Sequence, residues 1–235
     1  MEKYIEGIRE LNLGKKIAGG SCSDIYLYEP GIYFKHFNED YRDLTDKINI
    51  EFLETIKTIS KIKNIPSIIK AIDIYRSRLE LFGYTMHKID ASALENISED
   101  TLIFDLIKAF EKLKQEVRIL SDNYVKTEDI GGDNILYNGK LYLLDLDLSL
   151  VNKEYIPDEL YIKTTYSIFK SLLIKITGKL YKNDGLYEYR QKLCLGNSDE
   201  YLNYFKKLME LCSDKSGKEI KTLGDVRKAY QKIYK

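Results

Sequence analysis

Tryptophan is absent from this chain, histidine occurs only twice, and cysteine and proline occur three times each. Three thiols, Cys22, Cys194 and Cys212, are too few and too scattered for a disulfide framework or a zinc cluster, and His36 and His87 add little to them. Reduced, buried thiols are the expectation. Neither sign of charge is in excess, since 37 Lys and Arg balance 37 Asp and Glu. No bulk field therefore draws the molecule to nucleic acid or anionic lipid. No apolar run approaches the ~18 residues of a membrane span, and residues 1–6 lack the apolar core of a secretion signal. These absences point to a soluble, cytoplasmic protein with no nucleic-acid or membrane partner, unless a specialised secretion machine exports it. They set no oligomeric state.

Tyrosine, by contrast, is plentiful, with 20 in 235 residues. Tyrosine and lysine gathered on one stripe could stack and neutralise single-stranded nucleic acid. Here they are dispersed, which suits a biased genome better than a binding surface.

The first third of the chain alternates as strands do. Segments 16–20, 24–28 and 32–37 are separated by Ser21-Cys22-Ser23 and by Glu29-Pro30-Gly31. Phe52, Leu53, Ile56, Ile59 and Ile62 recur at helical spacing over 48–62, and the helix must end before Pro66. Segments 68–75 and 79–86 read as further strands, and 2–11 is a candidate helix. Beyond Ile89 the pattern is helical. Ser98 is a candidate N-cap for the stripe Leu102, Leu106, Phe110, Leu113, Val117 and Leu120. Ile168, Leu172 and Ile176 mark a helix closed by Gly178. Asn197 with Glu200 resembles a capping box before Leu202, Phe205, Met209 and Cys212, and 223–233 is a terminal helix. The fold class expected is α+β: an antiparallel sheet with one helix over 1–88, then a mainly helical region over 89–235, divided near 87–90.

Asp129-Ile130-Gly131-Gly132-Asp133-Asn134 is the most informative stretch. It leads into Ile135-Leu136-Tyr137, which turns at Asn138-Gly139, a strong hairpin signal, and returns through 140–144 to Asp145-Leu146-Asp147. An acid, an amide and two more acids at one end of a ribbon suit a hard cation that keeps some of its waters and binds phosphate. The bland alternative is an Asx-rich turn before a hairpin.

These pieces, in this order, resemble the protein-kinase-like superfamily, both its small divergent bacterial-type serine/threonine kinases and its small-molecule kinases. The resemblance spans about 13–178 and implies a two-lobed fold with an antiparallel N-lobe sheet. It also implies ATP and Mg2+ as cofactors and transfer of the γ-phosphate to a hydroxyl, on a protein Ser/Thr or on a small molecule of the aminoglycoside or choline type. Ala18-Gly19-Gly20-Ser21-Cys22-Ser23 stands in the place of the family's Gly-rich loop, so Ala18, Gly19, Gly20, Ser21 and Ser23 would approach phosphate. Lys35 would contact the α and β phosphates, with Glu54 or Glu51 as its helix partner. Met86 and His87 lie in the hinge-like run that borders the nucleotide. Thr127-Glu128-Asp129 replaces the usual His-Arg-Asp. Asp129 would be the catalytic base, and Asn134 with Asp145, Asp147 or both would hold the metal. Gly131 stands where these kinases carry a lysine or histidine, and no Ala-Pro-Glu follows Leu148. An inactive, nucleotide-binding pseudokinase is the alternative that these departures favour.

Overall fold

The computed structural model describes residues 1–179, 186–194 and 200–234. It is an α+β structure that divides into two compact units. The first unit comprises Met1–Lys63, Ile69–Asp90 and Asp145–Val151, and the second Asn64–Ile68, Ala91–Leu144 and Asn152–Lys235.

A six-stranded sheet and one helix form most of the first unit. Its strands are β1 (Glu2–Tyr4), β2 (Lys16–Gly19), β3 (Ser23–Glu29), β4 (Ile32–Phe37), β5 (Ile74–Arg76) and β6 (Leu81–His87), in the order β1-β5-β6-β4-β3-β2. The expectation of an antiparallel sheet needs correcting, because β1 lies parallel to β5, with Glu2 opposite Ile74. The same strand replaces the helix expected over 2–11. Gly7 is fully extended at φ −169°, only a 3₁₀ turn follows at Ile8–Glu10, and Lys3 is anchored to Asp73 at 2.8 Å. A ladder and an ion pair thus outweigh a weak helical period. Residues 68–73 likewise fall outside any strand, leaving β5 three residues long.

Alternation along β4 explains the core. Phe34 points to one face, where Tyr75 meets it edge-on at 5.5 Å. Phe37 points to the other, and there Phe52 of α1 (Lys47–Lys61) packs on it at 4.9 Å, joined by Leu53, Ile56 and Leu81. Asp46 caps α1 by accepting from the Ile48 amide. Leu146, in a short 3₁₀ turn (Leu146–Leu148), is buried in this unit.

In the second unit, α2 (Ile103–Asp122) and α3 (Pro157–Thr177) carry buried stripes, Leu106, Phe110, Leu113 and Val117 on one and Ile168, Phe169, Leu172 and Ile176 on the other. Pro157 opens α3 and Gly178 closes it at φ +79°. The N-cap reading of Ser98 fails. Its hydroxyl accepts from the Asp100 amide in a local turn, α2 starts at Ile103, and Leu102 is half-exposed. Three further helices, α4 (Tyr187–Cys194), α5 (Tyr201–Ser216) and α6 (Leu223–Ile233), complete six among the described residues. Asn197 of the expected capping box lies outside those residues, and Glu200 makes no side-chain cap. The buried face of α5 is Tyr201, Tyr204, Phe205, Leu208 and Cys212, with Leu202 outside it. Tyrosines win that face because their rings fill an aromatic cluster with Phe110 and Phe169 while Tyr204 keeps a donor, the buried Arg190, on its hydroxyl at 3.0 Å. Among the described residues no helix is long and apolar enough to cross a membrane. Cys212 is buried, as expected of a structural thiol, whereas Cys22 is only half-buried.

Candidate functional site

Lys35 sits at the centre of the first unit. In β4 it is opposite Ile25 of β3 on one side and Tyr84 of β6 on the other, and it is 2% exposed. A buried ammonium demands partners. It finds them in Asp147, at 2.8 Å, and in Asp145, both delivered by the far segment Asp145–Val151. Neither helix glutamate expected to pair with it does so. Glu54 is bound to Lys57 at 2.8 Å and Glu51 to Lys47 at 3.6 Å, both on the outer surface of α1.

The two aspartates differ in kind. Asp145 is about half exposed and takes a left-handed backbone, φ +57°, as N-cap of the 3₁₀ turn. Asp147 is 5% exposed; its Oδ2 meets Lys35, while its Oδ1 is shielded and has no hydrogen-bond partner. A buried, unpaired carboxylate oxygen costs free energy, so it marks a place where an additional donor or cation would be welcome. Burial pushes the Asp147 carboxyl above its ordinary range, despite Lys35. Burial pulls Lys35 down, but Tyr84, Asp147 and Asp145 together more than offset this and hold the ammonium charged. Burial and the Asp147 charge raise the Tyr84 hydroxyl in turn. Tyr84 thus belongs to this cluster. Strand pairing across from Lys35 was the signal that could have found it.

The small-residue loop is clipped shut in this unit. Gly19 is opposite Asp24, the Gly20 amide donates to the Ser23 carbonyl at 2.9 Å, and Asn38 donates to the carbonyls of Ser21 and Cys22. A Cβ on Gly19 would lie 2.5 Å from Asp24 Oδ1, because the Lys16–Asp24 ion pair crosses over that position. Ala18 is exposed on β2, and Ser23 is buried. Met86 and His87 end β6, paired with Tyr33 and Ile32 of β4.

Asp129 and Asn134 belong to the second unit. The hairpin strands Ile135–Tyr137 and Leu141–Leu143 pair as expected, with Leu143 opposite Ile135, but a three-residue loop, 138–140, joins them rather than a two-residue turn. Gly139 adopts φ +94° there. The Leu144 amide closes the ribbon by donating to the Asn134 carbonyl at 2.9 Å. Asp129 is held at φ +52°, a conformation that Asp tolerates better than most residues. The Asn134 amide nitrogen donates to its carbonyl at 2.8 Å and to its carboxylate at 3.3 Å. This leaves the Asn134 side-chain oxygen free to accept. Thr127 shares a hydrogen bond with Thr164 at 2.6 Å, and Glu128 pairs with Lys126. Gly131 and Gly132 form part of the wall of a cavity of about 640 Å³.

Oxygen donors on Asp145 and Asp147, one exposed and one with a spare oxygen, suit a hard divalent ion that takes its remaining ligands from water and phosphate. No larger metal centre occurs, in that no three His, Cys, Asp or Glu side chains converge among the described residues. No family model matches this chain, and no curated protein matches it.

Proposed function

We propose that the chain is a phosphotransferase of the protein-kinase-like type, which uses Mg-ATP and a hydroxyl acceptor. The observation that carries this reading is the buried Lys35 bound to two aspartates that follow a hairpin, one of them keeping an unpartnered oxygen. A core ion pair without function is a poor use of burial, since an apolar replacement of similar volume is often as stable or more so. In this reading Lys35 neutralises charge on the α and β phosphates and Asp129 accepts the proton of the attacking hydroxyl. The amide of Asn134 keeps the Asp129 carboxylate oriented. Asp145 and Asp147 would hold Mg2+, which when bound supplies charge neutralisation of the phosphate oxygens.

The test is Mg-dependent release of ADP from ATP by the full chain, over a panel of protein and small-molecule hydroxyl acceptors. Asp129→Asn and Asp145→Asn each lower the rate by about 10²-fold or more. Wild-type rates in both variants would end the assignment.

A second reading, a nucleotide-binding pseudokinase, is favoured by two observations. Thr127 and Glu128 are committed to Thr164 and Lys126, and the small-residue loop is tied down by Asn38. ATP then raises the melting temperature, as a ligand selective for the folded state must, but no acceptor is turned over.

A further inference from the structure

The cavity beside the Asp129 loop is built wholly within the second unit, and its charge is one-sided. Lys170 and Lys175 from α3 and Arg227 from α6 line it, three cations against the carboxylate of Glu95 in the wall and that of Glu99, which pairs with Arg227. The chain as a whole carries no net charge, so this local excess is a property of the fold. The hydroxyls of Ser167 and Ser171 and the amide of Gln231 add neutral donors to the wall.

Two of the cations are fixed in place. Lys175 donates to the Glu95 carbonyl at 2.7 Å, which spends a hydrogen bond without neutralising the charge. Arg227 donates to the Lys175 carbonyl at 2.5 Å and to Glu99 at 2.9 Å. Burial and the nearby Arg227 charge hold Lys175 below its ordinary range, as expected where cations crowd together. The loop side of the cavity is glycine, Gly131 and Gly132, and Glu95 packs so closely on Gly132 that a Cβ there would come within 2.9 Å of it. Leu94, Ile130 and Ile174 supply an apolar portion. A volume of about 640 Å³ falls within the roughly 300–1,000 Å³ typical of sites for small molecules. Fixed cations, hydroxyls and an apolar portion suit a compact ligand with a doubly charged end and a carbon skeleton.

We propose that this cavity is an anion-holding subsite that takes a small molecule bearing a phosphate ester. Its occupant is the acceptor, held by an existing phosphate while a separate hydroxyl is presented near the Asp129 loop. That role rests on the phosphotransfer reading, whereas binding of the ester does not.

The experiment titrates the full chain, without ATP, with a hexose 6-phosphate, the unphosphorylated hexose and inorganic phosphate. Amide shifts of Gly131, Gly132 and Ser171 report occupancy. Saturable binding of the ester is expected, weakened about tenfold or more by Lys170→Glu and by added salt, with no response to the neutral sugar. Lys206→Glu, the same charge change on the exposed face of α5 and outside the cavity wall, binds as wild type does. Arg227→Met weakens binding in the same way. Should it fail to fold, the exposed Lys170 still carries the test. Silent amides, equal binding by Lys170→Glu, or a free-phosphate affinity matching that of the ester overturns the proposal. Turnover of ATP is measured apart. Binding without turnover sinks the kinase reading and leaves the subsite, and turnover without ester binding does the reverse.

Discussion

Lys35 and Asp147 are buried charges whose stability depends on each other. Removing one partner of such a pair typically costs about 3–5 kcal/mol, because the other is left charged and unsolvated, whereas replacing both with apolar groups is often close to neutral. Lys35→Met is therefore expected to lose about that much in urea unfolding, and Lys35→Met/Asp147→Leu to recover most of it. Additive losses in the double variant would rule out the coupling. Gly83 guards the same spot from the neighbouring strand, since a Cβ there would lie 1.9 Å from the Lys35 carbonyl oxygen. Gly83→Ala must push β4 and β6 apart and should cost about 2 kcal/mol or more. Cys212 gives a pH signature. Burial pushes its thiol up to about 11 from 9.0. A raised folded-state value favours the protonated form, so this contribution is complete below pH 9 and is lost as pH rises from 9 to 11. In Cys212→Ala the alkaline decline in unfolding free energy over that window is shallower. Identical slopes would show that the thiol plays no part.

Helices and strands obey their own local rules, and the clearest is at α6. Thr222 accepts from the Asp225 amide while Asp225 accepts from the Thr222 amide, a reciprocal capping box. Thr222→Ala should cost about 1 kcal/mol. Backbone donation from Thr222 holds the Asp225 carboxyl below its usual range, so its share of stability is present above the unfolded-state value and fades as pH falls through the folded one. Acid titration of the unfolding midpoint in Asp225→Asn, compared with wild type, measures that share. The helices α1 and α6 were legible within a residue or two, whereas of α3 only the C-terminal half and its stop at Gly178 were, since it starts at Pro157. The terminal strand β1 was not, because three residues of a parallel edge carry no alternation long enough to read. The start of α2 was misread because a Ser in an ST turn and a Ser at an N-cap look alike in one dimension.

For the whole molecule, the decisive fact is that the first unit is not contiguous in sequence. Residues 145–151 return to it from beyond the hairpin and bring Leu146 into its core and Asp145 and Asp147 to Lys35. A fragment ending at residue 90 therefore lacks both counter-ions and part of its core. It is expected to show no cooperative thermal transition and poorly dispersed amide resonances. A sharp transition in that fragment would mean that the returning segment is dispensable.

Local chemistry, as read along the chain, determined the α+β class, the Asp129–Asn134 loop and the hairpin that follows, because turns, caps and periodicities act over a few residues, whereas Lys35 stood out only through the family resemblance. Which carboxylates would neutralise Lys35 was decided only by the tertiary structure. It turned Glu51 and Glu54 outward to lysines of their own helix and supplied Asp145 and Asp147 instead. The gathering of Lys170, Lys175 and Arg227 around one cavity was likewise invisible beforehand. The physical reason is that burial and charge pairing act through space, between residues up to about a hundred positions apart, and no spacing rule in one dimension encodes them.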